Sequence, residues 1–460
     1  MKKILFSAAL VLACSMSLSA QEKNGGISEQ MLTQIRKGYT ATPEQKAVKN
    51  ALAVNPISEL VQNADNAAMC DTHFSHRVVT KGITNQLKSG RCWLFTGLNV
   101  LRAKMISKHN LPEFEFSQNY CSFYDQLEKA NLFLQAIIDT KKLPLDDRQV
   151  EWLLKNPIGD GGQFTGVSNL IMKYGVVPKS VMPETFQSDN TSGMANILKL
   201  KLRQYALELR DMKDNKTAER KTEMLTEIYR ILVECLGVPP TEFEWTMRDK
   251  DGNVTTKKYT PKSFYNEFIG EDLEKNYVMI MNDPTREYGK VYEIDYDRHV
   301  YDGHNWLYIN LPIERVKEIA IASIKDNTAM YFSCDVAKFL NSKKGTMDLK
   351  NFDYESLFAT DFPMDKKQRI QTFASGSSHA MTLIAVDIDK DGKPTKWMVE
   401  NSWGPEAGYR GCLIMTDEWF EEYMFRVVAE KQYVPADVLK MLEQKPIKLP
   451  AWDPMFQPEE

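Results

Sequence analysis

The chain has 460 residues, 43% of them hydrophobic, which is enough for two or three layers of secondary structure around large cores. Its 58 basic and 62 acidic residues give a formal net charge of −4 at neutral pH. This balance lacks the one-signed field that binding to a polyanion requires, and no apolar run beyond the N-terminus is long enough to cross a membrane. We therefore expect neither a nucleic-acid partner nor a transmembrane segment.

The N-terminus has the pattern of a secretory signal peptide. Lys2 and Lys3 precede an apolar run over residues 4–13, and small residues follow it. We expect cleavage before Gln21 and export of the mature chain to the periplasm. The alternative is a lipoprotein anchored through Cys14, but a leucine two positions before the cysteine fits that signal poorly.

Residues 21–80 are polar at first and then helical in pattern, with Pro56 interrupting the apolar positions. By themselves they indicate an N-terminal extension. His73 and His76 lie three residues apart, but no cysteine or carboxylate accompanies them at ligand spacing. We therefore expect no metal in this region.

The next segment contains a candidate nucleophile, Cys92, after a turn at Ser89-Gly90. Apolar residues then recur at spacings of four, three and four: Leu94, Leu98, Leu101 and Met105. The spacing predicts a buried amphipathic helix with Cys92 in its first turn, where unpaired N–H groups and the helix dipole favour a thiolate. The alternative is an ordinary small buried residue, which is what most cysteines outside disulfides are.

A helical stretch over residues 120–154 leads to the sequence Asp160-Gly-Gly-Gln163. Adjacent glycines at 161 and 162 allow a substrate backbone to approach within hydrogen-bonding distance, where a side chain would block it. The alternative is a tight turn without a binding role.

Residues 190–320 contain two helical patterns, over 198–212 and 224–235, which predict two helices able to pack antiparallel. Two short segments joined through Asp251-Gly252 then predict a β-hairpin, over 243–247 and 254–259. The Lys and Arg residues between the apolar positions indicate solvated helix faces rather than a nucleic-acid surface.

Two strands near the C-terminus supply the groups that a nucleophilic cysteine requires. His379 begins one apolar strand and Asn401 ends the next, and Asp391-Gly392 between them predicts a hairpin turn that brings the two strands together. A catalytic thiol needs an imidazole to take its proton and a third group to orient the ring. The chain offers these groups in the order Gln86, Cys92, His379 and Asn401.

The same turn resembles the start of a calcium-binding EF-hand loop, over residues 387–392. Position twelve of that loop must supply a bidentate glutamate, but here it is Met398, and strands rather than helices flank the turn. We therefore expect no calcium site.

The last stretch, residues 445–460, contains four prolines, which exclude a helix and favour an extended arm. Trp452, Met455 and Phe456 are apolar anchors that a solvated tail would not need. We therefore expect the arm to be docked on the protein.

The glutamine six residues before Gly-x-Cys-Trp, the later His-Ala and the Asn-Ser-Trp-Gly sequence together resemble the papain-like cysteine peptidases. Cys92 and His379 are separated by about 150 residues more than the roughly 130–150 of papain and the cathepsins. This insertion and five segments resemble the bleomycin hydrolase and bacterial aminopeptidase C family more closely: 83–86, 90–95, 160–163, 415–420 and 449–455. The resemblance extends from about residue 30 to the C-terminus.

The resemblance implies an α+β, two-lobed papain-like fold with a helical lobe, an antiparallel β lobe, a large helical insertion and an N-terminal hook. The implied division is a signal peptide at 1–20, the extension or hook at 21–80, the helical lobe with Cys92 at 81–190, the insertion at 191–320, the β lobe with His379 and Asn401 at 321–440, and a C-terminal arm that enters the active site at 441–460.

The activity implied is that of a cysteine aminopeptidase, which hydrolyses N-terminal residues of peptides by acyl transfer without a metal or an organic cofactor. Cys92 would attack the carbonyl, His379 would carry the proton and Asn401 would orient His379. Gln86 would form the oxyanion hole with the Cys92 N–H group. Trp403 would shield the hydrogen bond between Asn401 and His379 from water.

For substrate binding, the resemblance implies that Gly161 and Gly162 pair with the substrate main chain. The carboxylate of Glu460 would meet the free amino group and so restrict cleavage to the first residue. The alternatives are a papain-like endopeptidase with an open cleft, and a non-catalytic assembly or binding protein on the same scaffold.

Two further properties follow from the resemblance. The family forms a hexameric barrel with active sites facing a central channel, so we expect a homohexamer. Its members are mainly cytosolic with reduced thiols, so we expect no structural disulfide, although export would permit one.

Overall fold

The structure is a computed structural model that describes residues 25–66, 71–305 and 307–453, and the chain divides into two compact units. The first unit ends at Val61. Its described part consists of three helices: α1 (Glu29–Lys37), α2 (Pro43–Leu52) and α3 (Ile57–Leu60). Ser28 caps α1, and Thr42 forms a capping box with Gln45 at the start of α2. Each of these described helices lacks a buried residue.

The second unit begins with a helical layer: α4 (Cys92–Lys108), α5 (Gln118–Asp139), α6 (Arg148–Lys155) and α7 (Phe164–Tyr174). The prediction that Cys92 lies in the first turn of a helix is confirmed, because α4 begins at this residue. The prediction of one helical stretch over residues 120–154 is wrong. Pro144 lies between α5 and α6, and Asp147 accepts hydrogen bonds at the start of α6, so the chain ends one helix and begins another.

The short helix α8 (Phe186–Asp189) precedes the inserted segment, which contains α9 (Ser192–Asp211), α10 (Asp214–Leu236), β2 (Phe243–Arg248), β3 (Val254–Tyr259) and α11 (Pro261–Phe268). Both predicted helices and the predicted hairpin are confirmed. Gly252 adopts a φ of 86° in the hairpin turn, a conformation that glycine reaches without strain. The buried faces of α9 and α10 pack on α5 and extend the core of the helical layer.

One sheet of twelve strands forms the other layer. Its strands are β1 (His76–Arg77), β4 (Tyr277–Met281), β5 (Val291–Ile294), β6 (Leu307–Asn310), β7 (Met330–Cys334), β8 (Leu340–Asn341), β9 (Thr346–Met347), β10 (His379–Ile388), β11 (Pro394–Glu400), β12 (Cys412–Thr416), β13 (Met424–Glu430) and β14 (Ile447–Leu449). The spatial order is β14-β5-β6-β4-β13-β7-β10-β11-β12-β9-β8, with β1 paired to β10. The central strand pairs are antiparallel, and three pairs nearer the edges are parallel.

Helices cover the sheet or connect its strands: α12 (Ile313–Lys325), α13 (Tyr354–Phe358), α14 (Lys366–Gln371), α15 (Asp417–Tyr423) and α16 (Ala436–Met441). The α+β class predicted from the sequence is confirmed. The sheet also includes β4, β5 and β6, which lie in the last part of the segment that the sequence division gave to the insertion.

The predicted hairpin around Asp391-Gly392 joins β10 and β11. In its turn, Asp389 Oδ1 accepts hydrogen bonds from the N–H groups of Asp391 and Lys393, at 2.9 Å each. The carboxylate is therefore used to shape the turn.

Helix α4 lies between the two layers, where it packs on α5 and α7 and on strands β7 and β10. Fourteen of its 17 residues are buried, so the prediction of an amphipathic helix is wrong. This helix contacts protein on nearly every face and therefore has no solvated side. The spacing of Leu94, Leu98, Leu101 and Met105 indicates only one of its buried faces.

Two polar contacts anchor this buried helix, one to the strand that precedes Asn401 and one to the segment that contains Gln86. Arg102 of α4 forms an ion pair with Glu400 at 2.5 Å, and both side chains are buried. Burial raises the pKa of Glu400, although Arg102 acts in the opposite direction. Asn99, one turn earlier in α4, donates a hydrogen bond of 2.9 Å to Thr84. These contacts fix α4 against β11 and against the segment that contains Gln86.

Within the described ranges, no helix is both long and apolar enough to span a bilayer. None of the five described cysteines forms a disulfide bond. Cys14 and Cys70 lie outside the described residues.

We predict that Arg102→Met and Glu400→Gln each lower the free energy of unfolding by about 3–5 kcal/mol, because each leaves a buried partner uncompensated. The double variant should lose less than the sum of the two single losses. Chemical denaturation measures all three. Lys155→Met is the control, because it breaks an exposed pair with Glu151 and should leave the free energy of unfolding almost unchanged. Additive losses in the double variant would contradict the prediction.

Candidate active site

The residues before Cys92 are held by hydrogen bonds that fix the start of α4. The N–H group of Gly90 donates to Asp160 Oδ2 at 3.1 Å, and the Ser89 hydroxyl donates to the carbonyl of Gln86 at 2.7 Å. Arg91, the residue that caps α4, makes no side-chain capping hydrogen bond to the described helix. The N–H group of Leu94 donates to the carbonyl of Arg91 at 3.0 Å. Cys92 is thus the first residue of a helix, an environment that favours a thiolate.

The buried guanidinium of Arg91 lies over the Phe95 ring of α4 at 5.3 Å and makes three polar contacts. Its Nη1 lies 3.0 Å from Glu184, its Nη2 donates to the carbonyl of Ser188 at 2.7 Å, and its Nε donates to the Ser89 hydroxyl at 3.0 Å. The side chain of Arg91 is 2% exposed. These contacts tie the backbone next to Cys92 to the residues just before the inserted segment.

His379 is the first residue of β10, and Asn401 directly follows the last residue of β11. His379 Nε2 is 2.8 Å from Asn401 Oδ1, and both residues are buried. The same oxygen accepts a hydrogen bond of 2.8 Å from the N–H group of Ser402, which fixes the orientation of the amide. Because an amide oxygen only accepts, Nε2 carries the hydrogen and Nδ1 is the ring nitrogen that can exchange a proton with a thiol.

Trp403 covers this pair. Its ring lies 5.0 Å from the His379 ring, centroid to centroid, at an interplanar angle of 34°. Trp403 is half-buried and also packs on the core of the sheet. The predicted role of this ring, to shield the hydrogen bond between Asn401 and His379 from water, stays a prediction.

Gln86 reaches the same place through a short antiparallel ladder. Its N–H group donates to the carbonyl of Ser402 at 2.8 Å, and the N–H group of Gly404 donates to Thr84 at 3.0 Å. The Ser402 hydroxyl donates to Gln86 Oε1 at 2.6 Å, and Gln86 Nε2 donates to the carbonyl of Ser89 at 2.7 Å. The amide is therefore fixed with its nitrogen on the side of the loop that leads to Cys92.

The packing of α4 on β10 brings these groups together. Cys92 belongs to the same buried core as Ala380, the residue that follows His379 in β10. Together with the ladder between Gln86 and Ser402, this packing makes one site of the segments that contain Gln86, Cys92, His379 and Asn401.

The glycine pair predicted to bind substrate lies in a loop next to this site. Trp93 Nε1 donates to the carbonyl of Asp160 at 2.7 Å, and Lys129 Nζ donates to the carbonyl of Gly161 at 2.7 Å. A Cβ atom at Gly162 would lie 2.4 Å from His299 Cε1 and 2.7 Å from Trp93. Internal packing therefore requires glycine at 162, and contact with a substrate backbone stays a prediction.

The C-terminal arm is described as far as Asp453. Strand β14 pairs in parallel with β5, and the N–H group of Asp295 donates to the carbonyl of Leu449 at 3.0 Å. The Arg148 guanidinium lies over the Trp452 ring at 4.7 Å, and Asp453 forms an ion pair with Arg286. The arm is thus docked over its described length.

Several sequence predictions fall outside the described residues. Glu460, Met455 and Phe456 lie beyond residue 453, and the segment assigned to the signal peptide, with Cys14, precedes residue 25. These assignments stay predictions.

Sequence reasoning missed three parts of the site. Ser402 could have been identified, because it lies within the Asn-Ser-Trp-Gly motif. The pair of Arg91 and Glu184 and the group of Asp125, Lys129 and His299 had no comparable signal, since their members are far apart in the chain or occur in ordinary helical sequence.

Comparison with known proteins adds independent information. Residues 26–456 match the model of the Peptidase C1-like family. Human "Bleomycin hydrolase" is 39% identical over 448 residues, which cover 94% of this chain and 98% of the human protein. "Aminopeptidase C" of Lactobacillus delbrueckii subsp. lactis is 37% identical over 440 residues, covering 93% of this chain and 98% of that protein.

A solved structure has the same fold. The crystal structure of PepW from Lactobacillus rhamnosis HN001 superposes with a TM-score of 0.90 at 38% sequence identity. The match covers 94% of this chain and 99% of that one.

Proposed function

The chain belongs to the Peptidase C1-like family and is a cysteine aminopeptidase of the bleomycin hydrolase and aminopeptidase C type, and we propose that Gln86, Cys92, His379 and Asn401 perform its reaction. The observation that carries the proposal is the buried hydrogen bond of 2.8 Å between His379 Nε2 and Asn401 Oδ1, at a site where a helix begins with cysteine. It supplies the oriented imidazole that a thiol nucleophile needs.

In this mechanism, the proton of Cys92 passes to His379 Nδ1 and the thiolate attacks the carbonyl carbon of the first peptide bond. The oxyanion that forms accepts hydrogen bonds from the Cys92 N–H group and from Gln86 Nε2. His379 then protonates the leaving amine, and Asn401 keeps the ring in one tautomer throughout. Water, activated by His379, hydrolyses the thioester and restores the thiol.

We predict that Cys92→Ala abolishes hydrolysis of aminoacyl fluorogenic substrates, because the covalent step loses its nucleophile. The buried position should tolerate the smaller side chain, so we expect the midpoint of thermal unfolding to change by only a few degrees. Cys235→Ala, a cysteine outside the site, is the matched control and should keep full activity. Full activity in Cys92→Ala would refute the assignment.

We further propose that the C-terminal arm restricts cleavage to the first residue, with the terminal carboxylate of Glu460 pairing with the substrate amino group. The docked course of residues 447–453 supports this proposal. The carbonyl of Leu449 accepts a hydrogen bond from the N–H group of Asp295. His299 lies four residues after Asp295, and its ring is 4.7 Å from the ring of Trp93, the residue after Cys92. Seven residues follow Asp453, and an extended chain of that length can reach up to about 23 Å.

We predict that the intact enzyme cleaves peptides with a free N-terminus and acts poorly on the same peptides after N-acetylation. Acetylation removes the charge that would pair with Glu460 and leaves a desolvated carboxylate, at a cost of a few kcal/mol. Deletion of residues 456–460 should remove this penalty and add endopeptidase cleavage. Mass spectrometry of the products of one decapeptide, free and acetylated, measures both effects.

The intact protein and the Glu460→Gln variant serve as controls in that experiment, since the glutamine keeps the length of the arm but removes the side-chain charge. Equal rates on free and acetylated peptides by the intact enzyme would exclude the arm mechanism, and internal cleavage by the intact enzyme would favour an endopeptidase.

We also propose that the enzyme is a homohexamer. The support comes from α1 and the two residues before it, where Ile27, Met31 and Ile35 repeat every four residues and are 69%, 49% and 53% exposed. An apolar stripe of this kind on a helix suits burial against another subunit. Exposed Leu200 and Leu207 of α9 offer further apolar surface for such contacts.

We predict a mass near six times that of the mature chain, without residues 1–20, by light scattering in reducing buffer. The double variant Met31→Glu/Ile35→Glu should shift the population to smaller species, because two charges would be buried at the contact. Thr33→Glu, on the opposite side of the same helix, is the matched control and should stay assembled. A monomer for the parent protein at micromolar concentration would refute the hexamer.

A further inference from the structure

A buried group of three ionisable side chains lies under the glycine loop and takes no part in the proposed reaction. Asp125 and Lys129 lie one turn apart in α5, with Lys129 Nζ 2.8 Å from Asp125 Oδ2. His299 comes from the segment after β5, and its Nδ1 is 2.5 Å from Asp125 Oδ1. Each of the three side chains is at most 14% exposed. Removing such groups from water is costly, so their retention requires an explanation.

The charge states make the group electrically neutral. Burial raises the pKa of Asp125, but Lys129 and His299 outweigh it, so the pKa of Asp125 is lowered. Burial and the Lys129 ammonium lower the pKa of His299, against the pull of Asp125. The imidazole is therefore neutral at physiological pH and donates from Nδ1 to a carboxylate that Lys129 also neutralises.

The remaining contacts of the group are directed to the loop. Lys129 donates to the carbonyls of Gly159 and Gly161, at 3.0 and 2.7 Å. The His299 ring packs edge-on against Trp93 at 4.7 Å and fills the space beside Gly162, where a Cβ atom would lie 2.4 Å from Cε1. The three side chains thus support the backbone of residues 159–162 and the ring that follows Cys92.

We propose that Asp125, Lys129 and His299 are positioning residues that set the depth of the Gly161-Gly162 backbone for main-chain contact with the bound peptide. This inference rests on the proposed peptidase function. It differs from the usual reason for a glycine in a substrate cleft, because the group that excludes a side chain at 162 lies inside the protein.

The positioning role predicts a particular change in the kinetic constants. The positioning residues do not contact the reacting atoms, and the backbone that they support binds the ground state and the transition state alike. Displacing that backbone should therefore raise KM with little change in kcat. A merely structural role would instead lower thermal stability and the fraction of active enzyme, and would leave the KM of the folded molecules unchanged.

The test is a double-mutant cycle between Gly162→Ala and His299→Asn. The asparagine keeps an N–H donor for Asp125 but lacks Cε1 and Nε2, the two His299 atoms nearest to a Cβ atom at 162. We expect Gly162→Ala to raise KM for a free decapeptide about tenfold. The double variant should recover part of this loss, since Trp93 still lies close to the added atom.

Enzyme concentration is set by titration of Cys92 with iodoacetamide, so that kcat and KM refer to active molecules, and thermal unfolding confirms that each variant is folded at the assay temperature. His304→Asn is the matched control, because that imidazole is 60% exposed and outside the group. It should change neither kinetic constant.

Unchanged KM in Gly162→Ala, or no recovery in the double variant, would overturn the positioning role. If Gly162→Ala does not fold, the KM of His299→Asn decides: a rise of a few fold at constant kcat supports the proposal, and no rise refutes it. Absence of peptidase activity in the parent enzyme would instead refute the proposed function, so the two failures are distinguishable.

Discussion

The site depends on a short antiparallel ladder between the segment before Cys92 and the segment after Asn401. Two backbone hydrogen bonds, from Gln86 to Ser402 and from Gly404 to Thr84, join parts of the chain more than 300 residues apart. Without this ladder, the start of α4 and the ends of β10 and β11 would be positioned by side-chain contacts alone, with no backbone hydrogen bond between them. The ladder therefore converts a contact between two layers into a defined geometry of thiol, imidazole and amide.

Three buried ionic contacts reinforce the same helix and loop from different directions. Arg91 pairs with Glu184 at the start of α4, Arg102 pairs with Glu400 further along it, and Asp125 with its two partners lies below the neighbouring loop. Apolar residues in these places would avoid the cost of desolvation. Charged and hydrogen-bonded groups accept fewer geometries than apolar ones, so they fix the relative position of helix, strand and loop more narrowly.

Sequence reasoning succeeded where the deciding interactions are local. The first turn of α4, the helices of the insertion and the hairpin between β10 and β11 follow from periodicity and turn residues within a few positions. Sequence reasoning failed where contacts between distant segments determine the structure. The burial of α4 on nearly every face needs both layers, and the partners Arg102 and Glu400 are 298 positions apart. His299 gave no signal, because a histidine becomes part of a site only when folding places Asp125 beside it.

The large insertion is attached at the site rather than at the periphery. Glu184 and the carbonyl of Ser188, just before the insertion, hold Arg91, and Thr191, at its first position, donates to Asp160. The residues around the start of the insertion therefore bind both the approach to Cys92 and the glycine loop. Adding residues to a loop costs little in chain entropy once its ends are fixed, because the cost grows only with the logarithm of its length. The contacts at its start therefore matter more than its size, and through them the insertion becomes part of the support of the nucleophile.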